Sequence, residues 1–183
     1  MSRPTLERLA VIHLEALLNF IPELSRLNVI PLNELNSFIK ELSRVFKSSR
    51  LEVMTYGLTP VLLTYILKLD DGAINLYTLA YQFLEYAETG KTGTFVISSP
   101  MVYRGETKRI PYALLLACIA RVMSNYLGKA TNISKLEDLL SILNNAQAER
   151  LFMLEEVLTK YLAITAMLVE LIAVELENQL LKD

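Results

Sequence analysis

The chain has 183 residues, 52% of them hydrophobic, with 18 Lys+Arg against 20 Asp+Glu and a net charge of −2. Such a composition excludes a disordered chain and, with Cys118 the single cysteine, a disulfide scaffold. The balance of charge, with a pI near 5.6, excludes a uniformly basic nucleic-acid binder.

Apolar residues at helical spacing predict a first helix over residues 5–20, with Leu6, Leu9, His13, Ala16, Leu17 and Phe20 on one face. Pro22 is expected to end it. Pro31 suits a first helical turn, and residues 32–48 carry a stripe of Leu35, Phe38, Ile39, Leu42, Val45 and Phe46 that breaks at Ser48-Ser49. A third helix is expected over residues 51–69, closed by the Asp70-Asp71-Gly72 turn, and a fourth over residues 73–87. The period then changes. Thr94-Phe95-Val96-Ile97 is β-branched and aromatic, and residues 101–104 and 107–110 read as short strands around Gly105-Glu106. Helical pattern returns over 112–127, then from Thr131 or Asn132 to 144, and last over 146–181. The last helix is apolar on two faces. One holds Leu154, Leu158, Tyr161, Leu168 and Ile172, the expected interface, and the other holds Val157, Ile164, Leu171 and Val174. Ala163, Ala166 and Ala173 leave room for a close helix. The expected fold is therefore one all-α domain spanning 1–183, a compact bundle of about seven helices with a small β-hairpin insertion near 94–110.

A mean hydropathy of +0.34 raises the question of a membrane. A spanning helix needs about 20 apolar residues in a row. The stretch 53–67 is interrupted by Gly57 and Pro60, the stretch 110–120 stops at Arg121, and the last helix carries Glu155, Glu156, Lys160, Glu170 and Glu175. No span is expected, and the charged residues 1–8 do not read as a signal peptide. The expected location is cytoplasmic, with partner subunits covering the apolar excess. Few glutamines and no tryptophan fit a thermophile.

Catalytic patterns are scarce. Ser-His-Asp and Cys-His chemistry needs an imidazole, and His13 is the only one, on an apolar helix face where a packed histidine is the expectation. One histidine and one cysteine do not make a zinc site, and Ala10 stands where a di-iron Glu-x-x-His motif needs glutamate. Gly90-Lys91-Thr92 lacks the first glycine of a phosphate-binding loop, since Glu85 occupies that position. Asp70-Asp71, Glu137-Asp138 and Glu155-Glu156 are expected as turn residues and solvated faces. Cys118 is expected as a buried thiol, and Tyr77 and Tyr81 as edges of the core. No metal or cofactor is expected.

The cations are more suggestive. Lys40, Arg44 and Lys47 fall at i, i+4, i+7, with Arg50 just beyond, and Arg104, Lys108 and Arg109 gather at the hairpin. Clustered cations are what a polyanion backbone requires. Tyr103 and Tyr112 flank the second cluster as candidates for base stacking.

Residues 51–68 read Leu-Glu-Val-Met-Thr-Tyr-Gly-Leu-Thr-Pro-Val-Leu-Leu-Thr-Tyr-Ile-Leu-Lys. Gly57-Leu58 followed by an apolar helix ending at Lys68 resembles the small helical subunit of type III-B (Cmr) CRISPR effector complexes, as does the order of the three later helices. The resemblance implies a non-catalytic α-helical subunit in antiviral defense that stacks along guide and target RNA beside other subunits. It supplies no motif residue, so Lys40, Arg44, Lys47, Arg50, Arg104, Lys108 and Arg109 stand as RNA-binding candidates on spacing alone. The expected partners are other subunits, a second copy of the chain, and RNA. The alternatives are a protein-only interaction module, and an enzyme using Tyr103, Glu106 and Lys108.

Overall fold

The computed structural model describes residues 4–90, 106–128 and 131–180, the side chains of 172, 173 and 175–180 excepted. Seven α-helices are present among them: α1 (Leu6–Arg26), α2 (Leu35–Tyr56), α3 (Leu58–Leu67), α4 (Asp71–Glu88), α5 (Ile110–Leu127), α6 (Leu136–Asn145) and α7 (Ala148–Leu180). The all-α expectation stands. The hairpin does not. Residues 94–105 lie outside the described residues, and the segment expected as the second strand is instead a 3-10 turn, Thr107–Arg109, running into α5 at Ile110. Pro111 explains the outcome: its fixed φ suits the first turn of a helix and its missing N–H costs nothing there.

Four other boundaries differ. α1 passes through Pro22 and ends past Arg26, where Asn28 takes a left-handed φ of 56°. Pro22 faces solvent while Ile21 and Leu24 are buried, so burial outweighs one lost backbone bond. α2 runs unbroken through Ser48-Ser49, carried by the burial of Phe46 and Val53, and both hydroxyls bond back within the helix to the carbonyls of Val45 and Phe46. The single helix expected over 51–69 is split at Gly57, whose φ of 84° and ψ of 161° no L side chain adopts readily. Asp70 does not end a helix but begins one: its Oδ1 accepts from the Ala73 N–H at 2.8 Å and caps α4.

α5 is the axis of the molecule. Ile110, every residue from Ala113 to Ala120, Val122 and Met123 are fully buried, as expected of a helix apolar all round. It packs against α2, α3, α4 and α7, while α1 lies across α4 and α7. The segment Thr107–Leu127 is long and apolar enough to cross a membrane by length and composition, which corrects the expectation drawn from the break at Arg121. In this structure its apolar surface is enclosed by the chain's own helices.

α7 lies antiparallel to α2. Lys47 of α2 pairs with Glu170 of α7, and at the other end the Glu155 carboxylate accepts from the Leu58 N–H at 2.9 Å. Glu155 thereby caps α3 from another helix, a role not expected of a solvated carboxylate. Leu154, Leu158 and Tyr161, expected at an interface, are buried in the chain's own core, and Leu168 packs against that core. The side chain of Ile172 lies outside the described ones. The exposed stripe is the other one, with Leu171 and Val174 of the expected set joined by Met153 and Met167.

Candidate functional site

Two polar assemblies stand out. The first is buried where α1, α4, α5 and α7 meet. The Glu88 carboxylate accepts from His13 Nε2 at 2.8 Å and from Arg121 Nε at 3.0 Å on one oxygen. Its other oxygen accepts from Arg121 Nη2 at 2.6 Å and Asn125 Nδ2 at 2.9 Å. A carboxylate only accepts here, so the Nε2 proton of His13 is fixed. His13 Nδ1 meets the Tyr161 hydroxyl at 2.8 Å. Arg121 Nη1 reaches Glu85 at 3.0 Å and the Tyr81 hydroxyl at 3.2 Å. Tyr81 and Tyr77 then clasp the backbone of Ile133, one accepting its N–H and one donating to its carbonyl.

Burial alone pushes Glu88 up, but hydrogen bonds and charge from His13 and Arg121 outweigh it and hold the carboxyl down at about 2. Burial pushes the Cys118 thiol up to about 12 and Tyr161 above its ordinary range. A thiol in that state is no nucleophile. His13 and Tyr161 have no solvent-exposed surface, so the assembly is a satisfied structural network, and the expectation of a packed histidine is met. Among the described residues, no group of three or more His, Cys, Asp or Glu is arranged to hold a metal ion.

The second assembly is a groove at the surface, about 380 Å³, lined by Glu41, Leu67, Lys68, Glu106, Lys108, Arg109 and Tyr112. It joins two cation groups that are far apart in sequence. Arg44 of α2 donates to the Tyr112 hydroxyl at 3.0 Å, and Lys68, just past α3, donates to the same oxygen at 3.2 Å. Arg109 reaches the Lys68 carbonyl at 3.4 Å, and its side chain also pairs with Asp70 and Glu106. Glu106 pairs with Lys108 at 3.0 Å, and Glu41 holds Arg44 through both oxygens. The bond from Arg44 keeps Glu41 below the usual carboxylate range.

Of the sequence candidates, Lys40, Arg44, Lys47 and Arg50 are all exposed on α2. Arg44 belongs to the groove, and Lys47 is engaged by Glu170. Lys108 and Arg109 sit on the 3-10 turn, whereas Arg104 and Tyr103 lie outside the described residues. Tyr112 is not free to stack on a base. One side of its ring meets Tyr65, with ring centroids 5.3 Å apart, and the Lys68 ammonium lies 4.3 Å from its centre.

Lys68 is the residue that sequence reasoning missed. Its only signal was position, i+3 from Tyr65 at the end of an apolar helix, where it covers the Tyr65 ring as well. No family model, no curated protein and no solved structure matches the chain.

Proposed function

We propose that this chain is a non-catalytic small subunit of an RNA-guided effector ribonucleoprotein of the CRISPR kind. It contacts the RNA backbone without reading sequence and contributes to assembly. One observation carries the RNA part: Arg44 and Lys68, from separate segments, donate to one tyrosine hydroxyl, and Arg109, bound to the Lys68 carbonyl, lines the same surface groove. Lys40 extends this face along α2, and Arg50 lies further along the helix and round from it, both exposed and with no ion pair among the described residues. A phosphate backbone needs only such a track of accessible charge, because affinity without specificity comes from counterion release. Net charge is a poor guide here, since local arrangement decides the field.

The test is binding of a fluorescein-labelled single-stranded RNA across a salt series. Changing Lys40, Arg44, Lys47 and Arg50 together to Glu is expected to weaken binding at least about tenfold and to flatten the salt slope, each lost phosphate contact removing roughly 0.7 from it. Unchanged affinity and slope overturn the RNA reading.

A protein-only module is the second reading, favoured by the exposed stripe of Met153, Met167, Leu171 and Val174 on α7. A mass in solution that rises with concentration, together with no affinity for RNA, is the result that selects it.

A further inference from the structure

We infer that Lys68 and Tyr112 form a seat for a single phosphate oxyanion; this deepens the RNA reading above by naming where one backbone phosphate docks. The argument begins with the Tyr112 hydroxyl. It is met by Arg44 Nη2 at 3.0 Å and by Lys68 Nζ at 3.2 Å. Guanidinium and ammonium groups have donors and no acceptors, so the oxygen must accept from both. Its two lone pairs are then used, and its own proton has to point at a third atom. Among the described residues no acceptor takes that proton, and Tyr112 lines the groove. A hydroxyl whose lone pairs are polarised by two cations is a strong donor, suited to an anionic oxygen.

Lys68 supplies the charge. Its ammonium is anchored by the rings of Tyr65 and Tyr112 and by one bond to the Tyr112 oxygen. Two of its three N–H groups remain for a ligand. The carboxylates around the groove are engaged elsewhere. Glu41 takes Arg44; Glu106 takes Lys108 and Arg109; Asp70 takes the Ala73 N–H, the Glu106 N–H and Arg109. No carboxylate stands at ion-pair distance from Lys68 among the described residues. The groove thus offers an ammonium with no ion pair within 4 Å among the described residues, near enough to Glu41 to help lower its pKa, beside the Tyr112 hydroxyl, with an arginine on either side held in place by its own partners. The groove lies at the surface and is largely open, so a phosphate within a chain can reach it as well as a free ion.

The experiment titrates the full chain with inorganic phosphate at fixed ionic strength, following backbone amide NMR signals, and separately with the labelled RNA. Three variants are compared with the parent: Lys68→Met, which keeps the apolar stem, Lys68→Arg, which keeps the charge, and Tyr112→Phe, which removes only the hydroxyl. Saturable shifts are expected at the amides of Lys68 and Tyr112 and their neighbours. Lys68→Met is expected to abolish them, Lys68→Arg to retain them, and Tyr112→Phe to weaken phosphate and RNA about tenfold each, the usual loss for one bond to a charged group. Amide spectra otherwise matching the parent show that each variant is folded.

The two readings fail separately. Phosphate bound at Lys68 with no RNA affinity supports the seat for a free phosphate and overturns the RNA reading. RNA affinity that falls with the α2 charge reversals but is untouched by Lys68→Met and Tyr112→Phe overturns the seat and leaves the RNA reading standing. Absence of saturable phosphate shifts together with unaltered RNA binding in Tyr112→Phe also overturns the seat.

Discussion

Glu88 receives four donors from three residues, so altering it disturbs a buried network. Glu88→Gln would set an amide N–H against Arg121 or His13 and leave a buried guanidinium with only the half-exposed Glu85 as its counter-charge. The expected loss is about 3–5 kcal/mol, read from urea unfolding. A pH consequence follows from the same bonds. The folded carboxyl titrates at about 2, below its ordinary value, so the unfolded chain takes up the proton first. Stability is therefore complete above about pH 5 and falls as pH drops toward 2, with Glu88 contributing on the order of 3 kcal/mol to that fall. Glu88→Gln should remove much of the acid slope; a parent-like slope in the variant would show that other carboxylates set it. The exposed Glu41, Glu106 and Glu156 pairs, solvated and screened, add little. At this scale the sequence was partly legible. A lone histidine on an apolar face correctly suggested a packed residue. Nothing in the spacing of His13, Glu88, Arg121 and Tyr161 could reveal that they meet, because their contacts are set by how four helices stack rather than by any local period.

At the scale of elements, helices were legible where their apolar stripes were long, and their ends were legible only where local chemistry went unopposed. Pro22 and Ser48-Ser49 are sound breakers in isolation, yet burial of Leu24 and of Phe46 with Val53 carries the helices through them. Gly57 goes the other way: the sequence marks Gly57 and Pro60 as interrupting the apolar run 53–67, yet a single helix is expected across them, and the chain breaks at Gly57 with Pro60 in the first turn of α3. Its φ of 84° with ψ of 161° lies in a region close to glycine-only, while a Cβ there would meet nothing nearer than Glu155 Oε2 at 3.7 Å. The cost of Gly57→Ala is thus backbone strain without a clash, about 1–3 kcal/mol. Glu155→Gln separates the second contribution at this junction, since it removes the charge that caps α3 while keeping an acceptor oxygen. It is expected to cost less than about 1 kcal/mol, within the range of helix-end charge effects. Thermal melts of the two single variants and the double variant check this, and because the groups touch, a non-additive double variant is the expected result.

For the whole molecule, the high apolar fraction divides among α5, enclosed by four other helices; the inner faces of α1, α2, α3, α4 and α7; and the stripe that α7 leaves exposed. Sequence alone found both faces of α7 but not which one turns inward, because Leu154-Leu158-Tyr161 and Val157-Ile164-Leu171 are about equally apolar. Tyr161 breaks the tie. Its hydroxyl meets His13 Nδ1 and the Cys118 thiol in the core, partners that the inner rotation of the helix alone supplies among the described residues. The outer stripe places the exposed Met153, Met167, Leu171 and Val174 in line with Val157 and Ile164, which are half-buried against the core, at alternating steps of three and four, broken by Lys160. Such a seam is the pattern of a helix that meets another helix. Met167 is 75% exposed and Leu171 66%, so changing both to Glu removes no core contact and should leave the unfolding free energy within about 0.5 kcal/mol of the parent. Leu158→Glu, on the inner face, buries an unpaired charge and should prevent folding at ordinary temperature. Urea titrations of the two variants side by side decide the orientation of α7. If Met167→Glu with Leu171→Glu destabilised the isolated chain as strongly as Leu158→Glu, the outer stripe would be core, and its role as the assembly face of a subunit would fall.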